Sequence, residues 1–208
     1  STVRFEYSGD HVVRLVDPRG NEARYEYDAA GRLVRMTDTL GQSTQYVYDA
    51  NDRLVTVTDP AGNTVSSVHD ANGNLISLID KRGHATTTTY DVKDLPVVVT
   101  DALGNQVGTA YDALDRKISV TDPRGKVTGF TYDAAGRLIQ ATDALGNVTG
   151  YAYDPEGNRL SVTDPLGQVA SYAYDALNRP TQVTDALGNV TTTAYDAAGR
   201  VVSSTNAK

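Results

Sequence analysis

Apolar and polar positions alternate along this chain in short runs, without the spacing of three and four that would turn one face of a helix inward. In "GRLIQATD" the apolar Ile139 and Ala141 alternate with Gln140 and Thr142, and in "NVTGYAYD" Tyr151 and Tyr153 alternate with Gly150 and Ala152. Runs of about seven residues rich in Val, Thr and Tyr read as strands. A Gly or an Asp-Pro about every ten residues interrupts any helix. The element this pattern predicts is a β-hairpin, repeated down the chain.

The hairpins recur with a fixed period. The dipeptide Tyr-Asp, or its equivalent, starts at Tyr27, Tyr48, His69, Tyr90, Tyr111, Tyr132, Tyr153, Tyr174 and Tyr195, always 21 residues apart, which is the mark of a repeat architecture. Its Asp is present in every unit, at Asp28, Asp49, Asp70, Asp91, Asp112, Asp133, Asp154, Asp175 and Asp196. A second Asp stands ten residues later, at Asp38, Asp59, Asp80, Asp101, Asp122, Asp143, Asp164 and Asp185, with Asp17 before them. Three residues after each second Asp comes Gly, at Gly20, Gly41, Gly62, Gly83, Gly104, Gly125, Gly146, Gly167 and Gly188.

Each unit thus carries two turn signals: Asp, then Ala or Pro, then a variable residue, then Gly or a tolerated substitute. Asp can bond the backbone two residues on, Pro presets the next φ, and Gly accepts the left-handed conformation that closes the turn. Pro18, Pro60, Pro123 and Pro165 directly follow a second Asp. Where the first turn lacks Gly it has Asp52, Asp94, Asp115 or Asn178, and Asp and Asn tolerate positive φ better than other non-Gly types. If the turn "DAAG" sets Tyr132 opposite Arg137, Phe130 faces Ile139 and Thr128 faces Ala141, while Leu138, Gln140 and Thr142 share the other face with Gly129 and Thr131. An odd period then requires a parity difference between the two turns, or a bulge, or the faces would swap in alternate units. The Gly146-type turn is expected to be the longer one, with Gly as its bulge residue. Pro96 and Pro180 share one position in the unit, where the amide should make no ladder bond.

Nine such hairpins give about 18 strands and, at ~4.8 Å per strand, a sheet ~85 Å across. Strands twist, so a sheet this wide should curl, and closed sheets of that strand number leave an interior too wide for side chains to fill. An aromatic and aliphatic face repeated in every unit also exceeds the exposed apolar patch usual for a monomer. The expected fold is therefore all-β: tandem 21-residue hairpins forming a long curled antiparallel sheet, part of a hollow wall.

The 208 residues show no break in composition, so the chain reads as one array over 1–208, with a degraded first unit at 1–26 that lacks one residue between Tyr7 and Asp17. Such a start suggests excision from a longer chain. The opening "STVRFEYSGDHVVRL" has no signal-peptide pattern, so export would be decided elsewhere. There is no apolar run of membrane-spanning length. A formal charge of -7 with 26 acidic residues and no basic cluster argues against nucleic acid or anionic lipid as the partner. With no Cys, disulfides, thiolate zinc sites and thiol catalysis are all excluded.

Candidate chemistry is sparse. The Asp ladders suggest calcium or paired-carboxylate hydrolysis, yet each Asp opens a turn, where capping accounts for it. The Tyr rows could stack on sugars, but a repeated core or lumen position is the simpler assignment. Arg32, Arg53, Arg116, Arg137, Arg179 and Arg200 follow the first turn, where each could lie over a neighbouring Tyr or pair with Asp. His69 replaces a Tyr, and His11 and His84 form no metal spacing with it. No nucleophile elbow occurs. Asn147 and Asn189 open "NVT" glycosylation acceptors that recur with the period and read as repeat grammar. No catalytic, cofactor-binding or metal-binding residue is assigned and no cofactor is expected. The repeat-defining positions are the Tyr-Asp pairs, Tyr27, Asp28, Tyr48, Asp49, Tyr90, Asp91, Tyr111, Asp112, Tyr132, Asp133, Tyr153, Asp154, Tyr174, Asp175, Tyr195 and Asp196, with the second-turn glycines from Gly41 to Gly188.

"YDAAGRLVRMTD", "YDALDRKISVTDPRGKVTGFTYD" and "YDPEGNRLSVTDPLG" resemble the YD repeats of the Rhs family, and the resemblance covers essentially the whole chain. Similar repeats occur in bacterial Rhs polymorphic toxins, in the B and C components of insecticidal toxin complexes, in wall-associated bacterial proteins and in teneurins. The resemblance implies a spiralling β-sheet that forms a hollow shell, which in the toxins encloses a C-terminal toxic polypeptide. A closing core segment with paired DP motifs and autoprotease Asp residues, a delivery module and a toxin domain are not recognisable in these residues. The resemblance implies a non-catalytic array, exported or at the cell surface as part of a larger bacterial protein, whose partners are other segments of that protein. The alternative is a surface adhesion or carbohydrate-binding array, which outward-pointing Tyr rows would favour.

Overall fold

The computed structural model describes residues 2–206, and these form strands and turns without a helix, so no helix is long and apolar enough to cross a membrane. The expected array ends, Ser1 and Lys208, lie outside the described residues. The chain divides into two compact units, 1–106 and 107–208. The first contains β1 (Arg4–Ser8), β2 (His11–Val16), β3 (Glu22–Tyr27), β4 (Leu33–Thr37), β5 (Ser43–Tyr48), β6 (Leu54–Thr58), β7 (Thr64–His69), β8 (Leu75–Ile79), β9 (Ala85–Tyr90) and β10 (Pro96–Thr100). The second contains β11 (Gln106–Tyr111), which starts at the boundary, then β12 (Lys117–Thr121), β13 (Val127–Tyr132), β14 (Leu138–Thr142), β15 (Val148–Tyr153), β16 (Arg159–Thr163), β17 (Val169–Tyr174), β18 (Pro180–Thr184), β19 (Val190–Tyr195) and β20 (Val201–Asn206).

Within each unit every strand pairs antiparallel with its neighbours in sequence, from β1 with β2 to β9 with β10 and from β11 with β12 to β19 with β20. Each unit is thus an all-β meander of hairpins. The described residues form 20 strands, more than expected, because the degraded first unit still folds. Ser8 pairs with His11 around Gly9-Asp10, with Gly9 at φ 59°, so the missing residue has been taken out of the turn and the strands kept.

Both turns of the unit are built alike. In the first, the Asp133 amide donates to the Arg137 carbonyl (2.9 Å) and the Gly136 amide to the Asp133 carbonyl (3.0 Å). In the second, the Asp143 amide donates to the Asn147 carbonyl (2.9 Å) and the Gly146 amide to the Asp143 carbonyl (3.0 Å). This is the three-residue hairpin loop whose last residue is left-handed. Gly136 and Gly146 have φ of 81° and 86°, and Asp52, Asp94, Asp115 and Asn178 take the same place at 60–63°.

The register corrects two expectations. Tyr132 pairs with Leu138 and not with Arg137, and Phe130 faces Ala141 instead of Ile139. The Gly146-type turn is no longer than the other. The odd period is absorbed inside the strand that follows the first turn: Thr131 pairs with Gln140 while Tyr132 pairs with Leu138, which leaves Ile139 as one extra residue. The same shift sets aside Val34, Val55, Ile118, Leu160 and Thr181 in their units. A bulge here, opposite the tyrosine, restores the pleat before the next hairpin. It does so because two identical loops would otherwise contribute an even number of residues and reverse the faces of every second unit. Pro96 and Pro180 open β10 and β18 at this bulge, paired with Tyr90 and Tyr174, a location that suits a residue without an amide proton.

There is almost no core. Among the described residues only Ala23 is buried, because a sheet without a second layer can at most half-cover its side chains. Cross-strand pairs such as Tyr46 with Val57, Tyr151 with Val162 and Tyr172 with Val183 lie side by side on one face, each contributing about 0.2–1 kcal/mol. At the tips of the second turns Leu40, Leu103, Leu145, Leu166 and Leu187 are at least 80% exposed.

The turn geometry is open to a direct check. A Cβ on Gly146 would meet no atom within 4 Å, so Gly146→Val should lose about 1–3 kcal/mol through backbone strain alone. Gly146→Asn should lose less, as the substitutes in the first turn do. Thermal unfolding followed by circular dichroism should rank wild type above Asn above Val; equal midpoints would reject the left-handed turn.

Candidate functional site

Side-chain contacts recur at the first turns of the repeat units. Asp133 shows the arrangement. Its Oδ1 accepts the amides of Ala135 and Arg137, both at 2.9 Å, and its Oδ2 accepts Nε of Arg137 at 2.7 Å. The arginine then bridges to the next unit: its Cζ lies 5.0 Å from the centroid of the Tyr153 ring, and Nη1 donates to the Asp154 carbonyl. Arg32 over Tyr48, Arg116 over Tyr132 and Arg179 over Tyr195 repeat this at 4.9, 4.8 and 4.5 Å, with Nη1 donating to the carbonyls of Asp49, Asp133 and Asp196. Sequence alone offered stacking on Tyr and pairing with Asp as alternatives; one guanidinium does both, since its planar face and its edge donors are separate surfaces.

The tyrosine hydroxyls complete the contact. Tyr48, Tyr90, Tyr132, Tyr174 and Tyr195 donate to the carbonyls of Leu33, Leu75, Lys117, Arg159 and Pro180 at 2.8–3.1 Å. Each acceptor is the residue that opens the bulge of the preceding unit, so the next tyrosine binds the irregular backbone. This role leaves no trace in local spacing, because donor and acceptor are 15 residues apart.

Variant units keep the contacts by other means. His11 occupies the arginine position of the first hairpin, and its ring lies tilted at 48° against Tyr27 with centroids 4.6 Å apart, while the Tyr27 hydroxyl reaches the Val12 carbonyl at 3.1 Å. Asn74 and Asn158 replace arginine; each amide donates to its own turn Asp and also to the left-handed residue of the next first turn, Asp94 or Asn178. Where His69 replaces tyrosine, Ser67 on the same strand donates to the Leu54 carbonyl at 3.3 Å instead, and Nδ1 of His69 is buried without a partner among the described residues.

The second-turn Asp residues are engaged in the same manner. Asp143 accepts the amides of Leu145 and Asn147, and its Oδ2 accepts the Asn147 side-chain amide at 2.8 Å; Asn189 binds Asp185 alike at 2.7 Å. The nitrogens of both "NVT" asparagines are therefore turn donors. Side-chain hydrogen bonds hold the carboxyls of Asp28, Asp112 and Asp175 below the usual carboxylate range through arginine, and those of Asp59, Asp101, Asp143 and Asp185 through asparagine. Glu22 is lowered to about 2, chiefly by hydrogen bonds from Arg14 and then Arg24. A carboxyl acting as general acid needs the opposite shift. Among the described residues no three His, Asp or Glu side chains converge as metal ligands would.

Comparison with known proteins agrees with this layout. A family model described as RHS Repeat matches residues 7–42, 27–64, 69–106, 111–148, 132–169, 153–189 and 174–208. The crystal structure of TcdB2-TccC3-TEV is similar over 94% of this chain and 12% of its own, at 15% identity and a TM-score of 0.62. The crystal structure of TcdB2-TccC3 without its hypervariable C-terminal region gives 94%, 13%, 15% and 0.54. The Photorhabdus luminescens Tc holotoxin pore, carrying a TccC3 mutation, gives 98%, 16%, 14% and 0.55. At these identities the likeness is one of fold. The chain spans about an eighth of the first of these structures, and no curated protein matches it.

Two measurements check the clasp. Arg137→Ala should cost about 1 kcal/mol for the ring contact in addition to its turn bond, seen as a lower urea midpoint; Arg53→Ala, which also pairs with its turn Asp but faces His69's unit, should cost less. Equal losses would mean that the stack on tyrosine contributes nothing. The pH dependence follows from the depressed Asp values. Their stabilisation is complete above the unfolded-state value of about 3.9 and is lost as pH falls through the lower folded values. The melting temperature should be flat from pH 7 to 5 and drop below pH 4; a profile level down to pH 2 would contradict the bonded carboxylates.

Proposed function

The chain belongs to the RHS repeat family, and from that premise we propose that residues 1–208 act as a single non-catalytic array, a segment of wall in an Rhs-type β-shell that encloses or presents another segment of its parent protein. The observation that carries this reading is the missing core. With only Ala23 buried among the described residues, the apolar and aromatic positions of the strands remain half-covered, and further protein against them would remove that surface from water. Other repeats of the parent, or an enclosed polypeptide, suit this role. The clasped turns serve it too, because they hold neighbouring hairpins in register while making no demand on either sheet face.

The side-chain chemistry supports a structural role over a catalytic one. Carboxylates saturated by turn donors and lowered in pKa are poor proton shuttles and poor nucleophiles at neutral pH. A carbohydrate-binding array would draw on the Tyr-Asp tyrosines, but arginine already lies against Tyr48, Tyr132, Tyr153 and Tyr195, and sugar stacking would have to use the rest. As part of such a shell the array would act outside the cell or at its surface, exported with its parent.

Limited proteolysis of the natural gene product containing this array tests the proposal. The polypeptide following the array should resist protease while the hairpins are intact and become sensitive when they are deleted. Cleavage as fast as in the isolated downstream segment would overturn enclosure.

A further inference from the structure

Arginine joins hairpin to hairpin by lying over the tyrosine of the next unit, and one junction inside the array is built without it. Arg32, Arg116, Arg137 and Arg179 cover Tyr48, Tyr132, Tyr153 and Tyr195 and donate to the carbonyl of the Asp that follows the ring. Asn158 stands in the same place before Tyr174. Its amide reaches Oδ2 of Asp154 at 2.9 Å and the side-chain oxygen of Asn178 at 2.7 Å. Among the described residues no cation lies over the Tyr174 ring, and the Asp175 carbonyl accepts only the loop amide of Asn178, at 2.9 Å. A cavity of about 650 Å3 opens here, lined by Tyr172 and Tyr174 together with Asp154, Glu156, Asp175 and Asn178 from two successive first turns. Hairpins β13–β14 and β19–β20 flank the two that form this junction, so the gap is a property of Asn158 itself.

The same turn has also changed its charge. The turn that ends in Arg137 reads Asp-Ala-Ala-Gly-Arg, whereas the one that ends in Asn158 reads Asp-Pro-Glu-Gly-Asn, so a base is removed and an acid added. Asp154 is engaged by Asn158 and Asp175 by Arg179; the Glu156 carboxylate has no partner among the described residues. Arg159 is directed elsewhere, with its Cζ 5.0 Å from the centroid of Tyr172. The junction after Asn74 is closed differently, because Asn72 and Asn74 both donate to Asp94.

We propose that this cavity binds a guanidinium: an arginine side chain of a separate polypeptide lies over Tyr174, donates to the Asp175 carbonyl and pairs with Glu156. The chain's own arginines provide the pattern for the ring and the carbonyl, and Glu156 supplies the counter-charge that a ligand from outside the turn requires. A planar guanidinium uses its face and its edge donors at once, which a lysine ammonium cannot do. The cavity is within the size of small-ligand pockets, about 300–1,000 Å3, and larger than a guanidinium alone fills. Leu160 and Ala173 line it as well and suit the apolar parts of the residues flanking the arginine, which is why the occupant is a polypeptide.

Saturation-transfer NMR on the natural gene product containing this array, titrated with acetyl-Ala-Arg-Ala amide, tests the site. Binding should saturate, be several-fold weaker for the lysine peptide and be lost for the citrulline peptide, which keeps the shape of arginine without its charge. Glu156→Gln should weaken the arginine peptide roughly two- to five-fold, the equivalent of one exposed ion pair. Asn158→Arg, which supplies the guanidinium from within the chain, should abolish binding without lowering the melting temperature. Absence of saturable binding, equal affinity for the citrulline peptide, or an affinity unchanged in either variant would each overturn the proposal. Protection of a downstream segment is a separate readout, so this inference and the shell reading can fail independently.

Discussion

Everything in this molecule depends on reconciling a 21-residue period with a sheet whose side chains alternate every second residue. An odd repeat reverses the faces unless one residue is lost from the count, and the chain loses it at the bulge that leaves Ile139 and its equivalents extra. The bulge in turn makes the backbone irregular at the residue before it. That carbonyl receives the hydroxyl of the tyrosine one unit later, and the same tyrosine receives the arginine of the turn beside the bulge. Period, bulge, tyrosine and arginine are thus one solution to one geometric constraint.

The consequence for energetics is a strongly local structure. Hairpins are held by their own turn bonds and, where arginine or asparagine follows the first turn, by the clasp to the next hairpin, while among the described residues only Ala23 is buried. Stability in such an array is a sum of unit and nearest-neighbour terms, which explains why unit-by-unit substitution is tolerated when the contact survives. His11 packing against Tyr27, Asn74 and Asn158 bridging two turns, and Ser67 beside His69 all change the residue and keep the junction.

The sequence revealed the hairpins, both turns and the left-handed substitutes, because each is encoded within four consecutive residues such as Asp133 to Gly136. It identified the arginine row but left its partner open, since stacking and ion pairing have the same local signature. The register was misjudged at Tyr132, and the cause is instructive. A strand bulge adds a residue without Gly or Pro to mark it; the only sign was that Val34, Val55, Ile118, Ile139 and Leu160 hold an aliphatic side chain at the same step after the turn. The tyrosine hydroxyl bond was invisible for a different reason: it spans 15 residues between two units, and no pattern inside one unit contains both ends.

The same locality explains why the Asp ladders look like a site and do not behave as one. Repetition places a carboxylate at every turn, so the chain carries rows of acids that on a count alone invite a metal or a hydrolytic pair. Yet the geometry that creates the rows also uses them. One oxygen is taken by two amides of its own loop and the other by the Arg or Asn that closes it, as at Asp133 and Asp143, and those donors stabilise the ionised form. A carboxylate that must stay ionised to hold its turn is not free to exchange protons with a substrate. In this fold the acids at Asp133 and Asp143 serve the turns that join neighbouring strands.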